Sequence, residues 1–147
     1  MRALFDTSFL VAALVEAHPH HEQAFRRLAQ ARDSEVEGLI AVHSVAETYA
    51  VLSSLPVSPR ITPSAAWALL QHSVLAHLRP VDLPAAVVQG VVERLSRRGL
   101  AGGVVYYALI AEAAAQGGAH PSRCGRIEHR GAARAVGAGR RGAHLAG

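Results

Sequence analysis

Three short apolar runs, each followed by helical patterns, predict an α/β fold for the first 116 residues. Residues 3–5 form the first run, residues 38–42 the second, and a third lies within residues 75–81. The segments between them carry apolar residues three and four positions apart, which is the period of a helix. The order strand–helix–helix, repeated three times, is typical of a central parallel sheet covered by helices.

The same pattern predicts helix starts and buried helix faces. Thr62 and Pro63 predict a start, with Thr as N-cap and Pro at the first helical position. Asp82 is predicted to cap the helix that follows the third run. The expected apolar faces are Ala24, Phe25, Leu28 and Ala31 on the second helix, and Val45, Ala46, Tyr49, Ala50 and Leu52 on the third.

Polar residues stand where the first apolar run ends. Asp6 follows the run directly, and Thr7 and Ser8 come next. In open α/β sheets, ligands bind at the carboxyl ends of the strands, and a carboxylate there can hold a divalent cation through its oxygens. Thr7 or Ser8 can then cap the following helix. The alternative interpretation is that Asp6 is simply the N-cap of that helix.

Glu47 is the second candidate acid. It is predicted to lie in the first turn of the helix that follows the second strand, where the helix dipole favours a negative charge. A functional interpretation pairs it with Asp6. Because right-handed crossovers bring the carboxyl ends of parallel strands to one edge of the sheet, both acids are expected to line one pocket.

Composition narrows the class of protein. The single Cys124 excludes an intramolecular disulfide and fits a reducing cytoplasm. All 15 basic residues are Arg, so a P-loop lysine and a Schiff-base lysine are absent. The sequence predicts no signal peptide, and no apolar run reaches membrane-spanning length.

The net charge of +4 is unevenly distributed. Residues 1–116 contain nine Arg and ten acids, whereas residues 117–147 contain six Arg and one Glu. The positive charge therefore belongs to the C-terminal segment. It does not indicate that the folded body is a nucleic-acid-binding surface.

A cluster of His and Glu stands at the predicted start of the second helix. His18, His20, His21 and Glu22 carry the side chains that zinc sites use. Polar residues at a helix start are also ordinarily solvated. Metal binding and simple solvation are therefore both open for this cluster.

Three motifs, in order, resemble those of the PIN domain. They are Leu-Phe-Asp-Thr-Ser at residues 4–8, Ser-Val-Ala-Glu at residues 44–47, and Gly-Gly-Val-Val-Tyr at residues 102–106 followed by Ala-Leu-Ile-Ala at residues 108–111. The resemblance is closest to the VapC-like toxins of bacterial toxin–antitoxin pairs. It implies a PIN-like three-layer fold over residues 1 to about 115.

The resemblance also implies an activity and partners. Family members are Mg²⁺- or Mn²⁺-dependent ribonucleases, neutralised by a small antitoxin protein and usually dimeric. By the same resemblance, Asp6 is the first metal ligand and Glu47 the second acid. Thr7 or Ser8 would orient Asp6 or a metal-bound water. Haloacid dehalogenase phosphatases fit less well, because they would need an acid at Ser8.

The third acid of the family does not carry over. The family has Asp directly before Ala-Leu-Ile-Ala, and this chain has Tyr107 there. A phenol has a pKa near 10 and is a poor ligand for a hard cation. Glu112 follows five residues later, about 140° away around a helix, and is not expected to substitute. The sequence therefore predicts impaired activity, or a catalytically inactive module that binds an antitoxin or its own copy.

Residues 117–147 form a second predicted unit, a tail rich in Gly, Ala and Arg. They contain no Asp, so the family's fourth acid is also missing, and they show neither a helical nor a strand period. This composition is typical of a frame-shifted reading of a GC-rich gene, with the frame changing near residues 115–118. A disordered basic tail and a nucleic-acid-binding arm are the alternatives.

Overall fold

The computed structural model describes residues 1–119. The strands are β1 (Arg2–Phe5), β2 (Glu37–Ala41) and β3 (Arg79–Val81). The helices are α1 (Thr7–Leu14), α2 (His21–Arg32), α3 (Val42–Ser54), α4 (Pro63–Leu69), α5 (Ala85–Arg97) and α6 (Val104–Gly117). A π-helical turn, Leu70–Leu75, extends α4. Two helices follow each strand, which confirms the predicted order.

The three strands form one parallel sheet in the order β1–β2–β3. Arg2 pairs with Glu37 at one end of the β1–β2 ladder, and Phe5 pairs with Ile40 at the other. On the other side of β2, Ala41 pairs with Val81. The carboxyl ends of β1 and β2 therefore meet at one edge. This parallel sheet confirms the predicted α/β class.

Helices cover both faces of the sheet, because successive strand residues point to opposite sides. On one face, Phe5 and Ile40 pack with α1, α2, α3 and α4 in the larger apolar core. On the other face, Leu4 and Leu39 pack against Ala113 of α6. The result is the predicted three-layer arrangement.

Close packing of α6 on the sheet depends on Gly117. A Cβ placed there would lie 2.5 Å from Leu39 Cδ1. Gly118 ends the helix in the left-handed conformation, with φ near 65°, which glycine adopts without steric cost. Ala119 then packs with Leu4. The predicted tail lies outside the described residues from position 120 on, and the predicted boundary at residue 116 stays a prediction.

The structure corrects two predicted caps and confirms one. Asp6, and not Thr7 or Ser8, is the N-cap of α1, since its side chain accepts a hydrogen bond from the Phe9 amide. Asp82 does not cap α5, which begins after Pro84. Thr62 caps α4 as predicted, and Pro63 occupies the first helical position.

The prediction of which helix residues are buried is partly wrong for α2 and α3. Phe25 is 48% exposed, and on α3 the buried residues are Ser44, Thr48 and Leu52, while Tyr49 faces solvent. The third strand has only three residues, because the preceding segment continues the α4 helix. No helix among residues 1–119 is long and apolar enough to cross a membrane.

Candidate active site

A cavity of about 430 Å³ opens at the carboxyl ends of β1 and β2. It brings together the positions that the resemblance singled out: Asp6, Thr7, Ser8, Glu47 and Tyr107. The other lining residues are mainly apolar or aromatic: Val11, His18, Val51, Gly103, Tyr106 and Ile110. The cavity thus joins α1, α3 and α6 at one edge of the sheet.

Asp6 stands between β1 and α1, and its position is fixed by the helix cap. Its Oδ1 atom accepts hydrogen bonds from the Phe9 amide at 2.8 Å and from the Ser8 hydroxyl at 2.9 Å. The two interpretations of Asp6 are therefore compatible. The cap uses Oδ1 and holds the carboxylate at the cavity, while Oδ2 is the oxygen that the cap does not use.

Glu47 is held by a contact between α1 and α3. The Thr7 hydroxyl donates to Glu47 Oε2 at 3.0 Å. Because Thr7 adjoins Asp6, this bond brings the second carboxylate close to the first. Glu47 lies in the second turn of α3 and not in the first, since α3 begins at Val42, directly after β2. Helix capping therefore does not explain its position.

An exposed tyrosine stands where the sequence resemblance leads us to expect a third acid. Tyr107 lies in the first turn of α6, lines the cavity and is 50% exposed. Glu112 does not compensate, because it forms an ion pair with Arg94 of α5 and is not among the residues lining the cavity. Of the acids that the resemblance leads us to expect, the cavity therefore contains the candidates Asp6 and Glu47.

His43 adds a half-buried imidazole behind the cavity wall. Burial lowers its pKa, although the nearby Glu47 carboxylate acts in the opposite direction. Its ring is stacked beside that of Tyr106, with centroids 6.4 Å apart and planes 30° apart. The lowered pKa favours the neutral imidazole near pH 7, so His43 supports the tyrosine ring without adding a positive charge.

The His cluster predicted at the start of α2 does not form a metal site. Within residues 1–119, no group of three or more His, Cys, Asp or Glu side chains is placed to hold a metal. His18 instead lines the cavity, and its Nδ1 accepts a hydrogen bond from the His20 amide at 3.1 Å. Burial lowers the pKa of His18, and the neighbouring His20 and His21 lower it further.

Sequence reasoning identified the polar residues of the cavity and missed its walls. Val11 and Val51 belong to α1 and α3. A helical pattern does not indicate that such an apolar residue lines a cavity. Tyr106 was noted as part of a motif and was not assigned a role. Two consecutive tyrosines at the start of a helix could have indicated a cavity wall. Consecutive residues point in different directions around a helix, so one buried face cannot hold both large side chains.

The family model that describes the PIN domain matches residues 3–120 of the chain. The chain therefore belongs to the PIN domain family. The chain is similar to VapC ribonucleases. It is 36% identical to Ribonuclease VapC40 of Mycobacterium tuberculosis over 114 residues, which cover 78% of this chain and 79% of that protein. It is 33% identical to Ribonuclease VapC27 of the same organism over 111 residues, 76% of this chain and 75% of that protein.

A solved structure supports the same fold. The match is to the crystal structure of VapC20 of Mycobacterium tuberculosis, described as a sarcin–ricin loop cleaving toxin. The TM-score is 0.62, with 19% sequence identity, and the match covers 81% of this chain and 85% of that chain. This likeness confirms the expected PIN-like three-layer fold.

Proposed function

We propose that this chain is a metal-dependent ribonuclease of the VapC type, with impaired activity. The observation that carries the proposal is the shared cavity of Asp6 and Glu47, joined through Thr7 at the carboxyl edge of the sheet. Membership of the PIN domain family and similarity to VapC ribonucleases support RNA as the substrate.

The donor set fits one divalent cation, bound weakly. Mg²⁺ is commonly held by one or two carboxylates, with waters and substrate phosphate oxygens as its other ligands. Asp6 and Glu47 would supply the two carboxylates, and Mn²⁺ accepts the same oxygen donors. When bound, the cation would activate a water molecule and offset the charge of the phosphodiester.

The protein's own residues would hold this arrangement. The α1 cap fixes Asp6 through Oδ1 and leaves Oδ2 for a ligand, while Thr7 fixes Glu47 through Oε2. Ser8 would restrain Asp6 through its hydroxyl, which donates to the same Oδ1. In this proposal Thr7 and Ser8 are positioning residues.

Tyr107 is the reason for expecting impaired activity. Position 107 lines the same cavity as both acids, so an aspartate there would add a third carboxylate. With a phenol in its place, the cation has fewer anionic ligands and a lower affinity. Little RNA cleavage is therefore expected at millimolar Mg²⁺.

The test compares the unmodified chain with Tyr107→Asp in an RNA cleavage assay at several Mn²⁺ concentrations. Tyr107→Asp is expected to cleave RNA at least about tenfold faster than Tyr107→Asn, the lower end of the loss that removing a partner of a metal ligand causes. Tyr107→Asn is the matched control, because it removes the ring without adding a carboxylate. Asp6→Asn in the Tyr107→Asp background should abolish the gain.

Two outcomes would contradict parts of this proposal. Strong cleavage by the unmodified chain that disappears in Asp6→Ala would show that two acids suffice and that activity is not impaired. If Tyr107→Asp gains nothing, the missing third acid is not the limiting defect. Truncation after Ala119, which keeps the packed end of α6, would then show whether the rest of the tail limits activity.

A second candidate function is a catalytically inactive module that binds an antitoxin or a second copy of the chain in the cytoplasm. A separate apolar groove of about 640 Å³ favours it. Val42 and Trp67 line this groove, and Trp67 is 49% exposed. An amphipathic partner helix can fill a groove of this kind.

Co-expression with the product of the adjacent upstream gene discriminates between the two candidates. The inactive module predicts co-purification of the two proteins and no Mn²⁺-dependent cleavage by the chain released from its partner. Light scattering of the purified chain tests the homodimer that the family implies. Mn²⁺-dependent cleavage that is lost in Asp6→Asn would instead favour the ribonuclease.

A further inference from the structure

The cavity offers an RNA chain little electrostatic attraction from the protein itself. None of the described residues that line it is an Arg, and the chain contains no Lys. Asp6 and Glu47 share the cavity with Val11, Val51 and Ile110. A phosphate that enters therefore meets carboxylates and apolar walls. Binding of RNA at this site needs a contribution that is independent of Arg–phosphate pairing.

Two tyrosine side chains that line the cavity supply aromatic rings of the required kind. Tyr106 is 47% exposed, Tyr107 is 50% exposed, and both line the cavity. The buried residues of the same helix include Leu109 and Ala113, further along α6. The two tyrosine side chains are therefore about half exposed where they line the cavity.

The Tyr106 ring also has a support. The His43 ring is stacked beside it, with ring centroids 6.4 Å apart and planes 30° apart. His43 lies in the first turn of α3 and Tyr106 in the first turn of α6. The contact thus joins the two helices that carry Glu47 and Tyr107, and it restrains the tyrosine ring on one side.

We propose that Tyr106 and Tyr107 form a stacking surface for an unpaired base of the RNA substrate, next to the phosphodiester presented to Asp6 and Glu47. This inference rests on the proposed ribonuclease function and specifies its substrate class. Aromatic side chains bind bases of single strands by stacking, without requiring a particular sequence. Bases within a helix are already stacked on their neighbours, so loops and single strands provide the accessible faces.

The test measures binding and not cleavage. An end-labelled, ribose-methylated single-stranded RNA, which resists hydrolysis, is titrated with the full chain in Mg²⁺ and followed by fluorescence anisotropy. The same strand with abasic positions and a duplex of the same sequence are the comparison ligands. The unmodified chain is expected to bind the base-bearing single strand more tightly than either comparison ligand.

Paired variants separate stacking from other roles of the two tyrosines. Replacing both by Ala should raise Kd for the single strand about 5- to 150-fold, the range for loss of one stacked base. Replacing both by Phe retains the rings and should leave Kd within about twofold. Phe25→Ala is the matched control, because Phe25 is a similarly exposed aromatic residue that lines neither the cavity nor the apolar groove.

The outcomes distinguish this inference from the function on which it rests. If the unmodified chain binds the single strand and the double Ala variant binds it equally well, stacking is wrong while RNA binding stands. Equal affinity for base-bearing and abasic strands would also overturn the inference. If the unmodified chain binds no RNA, both the inference and the proposed function fail. Circular dichroism of each variant establishes that its helices are intact.

Discussion

Asp6 has two separable roles in this structure, and substitutions can divide them. As N-cap of α1 it accepts the Phe9 amide at 2.8 Å, and as a cavity residue it is the proposed first cation ligand. Asp6→Ala removes both roles. Asp6→Asn keeps an oxygen that can accept the amide but removes the carboxylate charge. The two variants should therefore agree in cation binding and differ in stability.

The expected stability changes follow from the cap. Loss of an N-cap side chain to Ala costs about 1 kcal/mol, and Asn caps nearly as well as Asp. The Ser8 hydroxyl that also donates to Oδ1 is on an exposed residue, so water replaces that bond. Asp6→Ala should lower Tm by roughly 3–6 °C for a domain of this size. Asp6→Asn should lower it by clearly less.

Cation binding is measured on the same proteins by their unfolding. A ligand that binds only the folded state stabilises it by about 1.4 kcal/mol at ten times its Kd. The unmodified chain should therefore gain stability as Mn²⁺ is added, and both Asp6 variants should not. Thr62→Ala is the matched control, since Thr62 caps α4 through the Ala65 amide and does not line the cavity.

Three results would refute this reasoning. Equal destabilisation by Asn and Ala would show that the cap hydrogen bond is not the stabilising interaction at Asp6. A Mn²⁺-dependent gain that persists in Asp6→Asn would exclude Asp6 as an essential cation ligand. Loss of the gain in Thr62→Ala would show that the response reports general stability and not the site.

Further predictions concern packing, charge and the gene. Gly38→Ala should destabilise the fold by about 1–3 kcal/mol in urea unfolding, because its Cβ would lie 2.3 Å from Leu78 Cδ2. Gly90→Ala within α5 should instead stabilise the fold by up to about 1 kcal/mol. Hydrogen bonds from Arg2 and Arg79 lower the pKa of Glu37, so Glu37→Gln should reduce stability above about pH 4.5, and its difference from the unmodified chain should vanish as the pH falls through the lowered pKa. If residues 117–147 are an off-frame product, one inserted or deleted base near codon 115 should restore an apolar strand with an acid beyond it; equally patternless alternative frames would exclude this.

The fold could be predicted because β1 and β2 are short apolar runs and each crossover is long enough for two helices, whereas β3 contains Arg79 and Pro80 and is shorter than the predicted run. The pairing of Asp6 with Glu47 followed from that topology alone. The cap of α1 could not be assigned, since three consecutive residues, Asp6, Thr7 and Ser8, are all good caps. Only the hydrogen bond from Phe9 distinguishes them.

Buried helix faces were harder to predict because α3 does not bury its most apolar side. Its buried residues include Ser44 and Thr48, and the Thr48 hydroxyl is satisfied by donating to the Ser44 carbonyl at 2.6 Å. This local bond lets a polar residue enter the core, whereas hydrophobic periodicity assigns such residues to the surface. Tyr49 therefore lines the exposed apolar groove, although its pattern predicted burial.

The position of Tyr107 explains why this fold can hold a tyrosine where the resemblance leads us to expect an acid. The buried residues of α6 are Leu109, Ala113, Ala114 and Gly117, whereas Tyr107 is half exposed at the cavity. An aspartate at position 107 would line the cavity and contribute little to the core. A tyrosine in its place therefore removes a proposed cation ligand without leaving a void in the core. The chain is thus expected to remain folded, with the groove beside Trp67 intact, even where its chemistry is weakened. Helices that persist in the circular dichroism spectrum of Tyr107→Asn, together with more RNA cleavage by Tyr107→Asp than by Tyr107→Asn, would show that fold and chemistry are separable at this position.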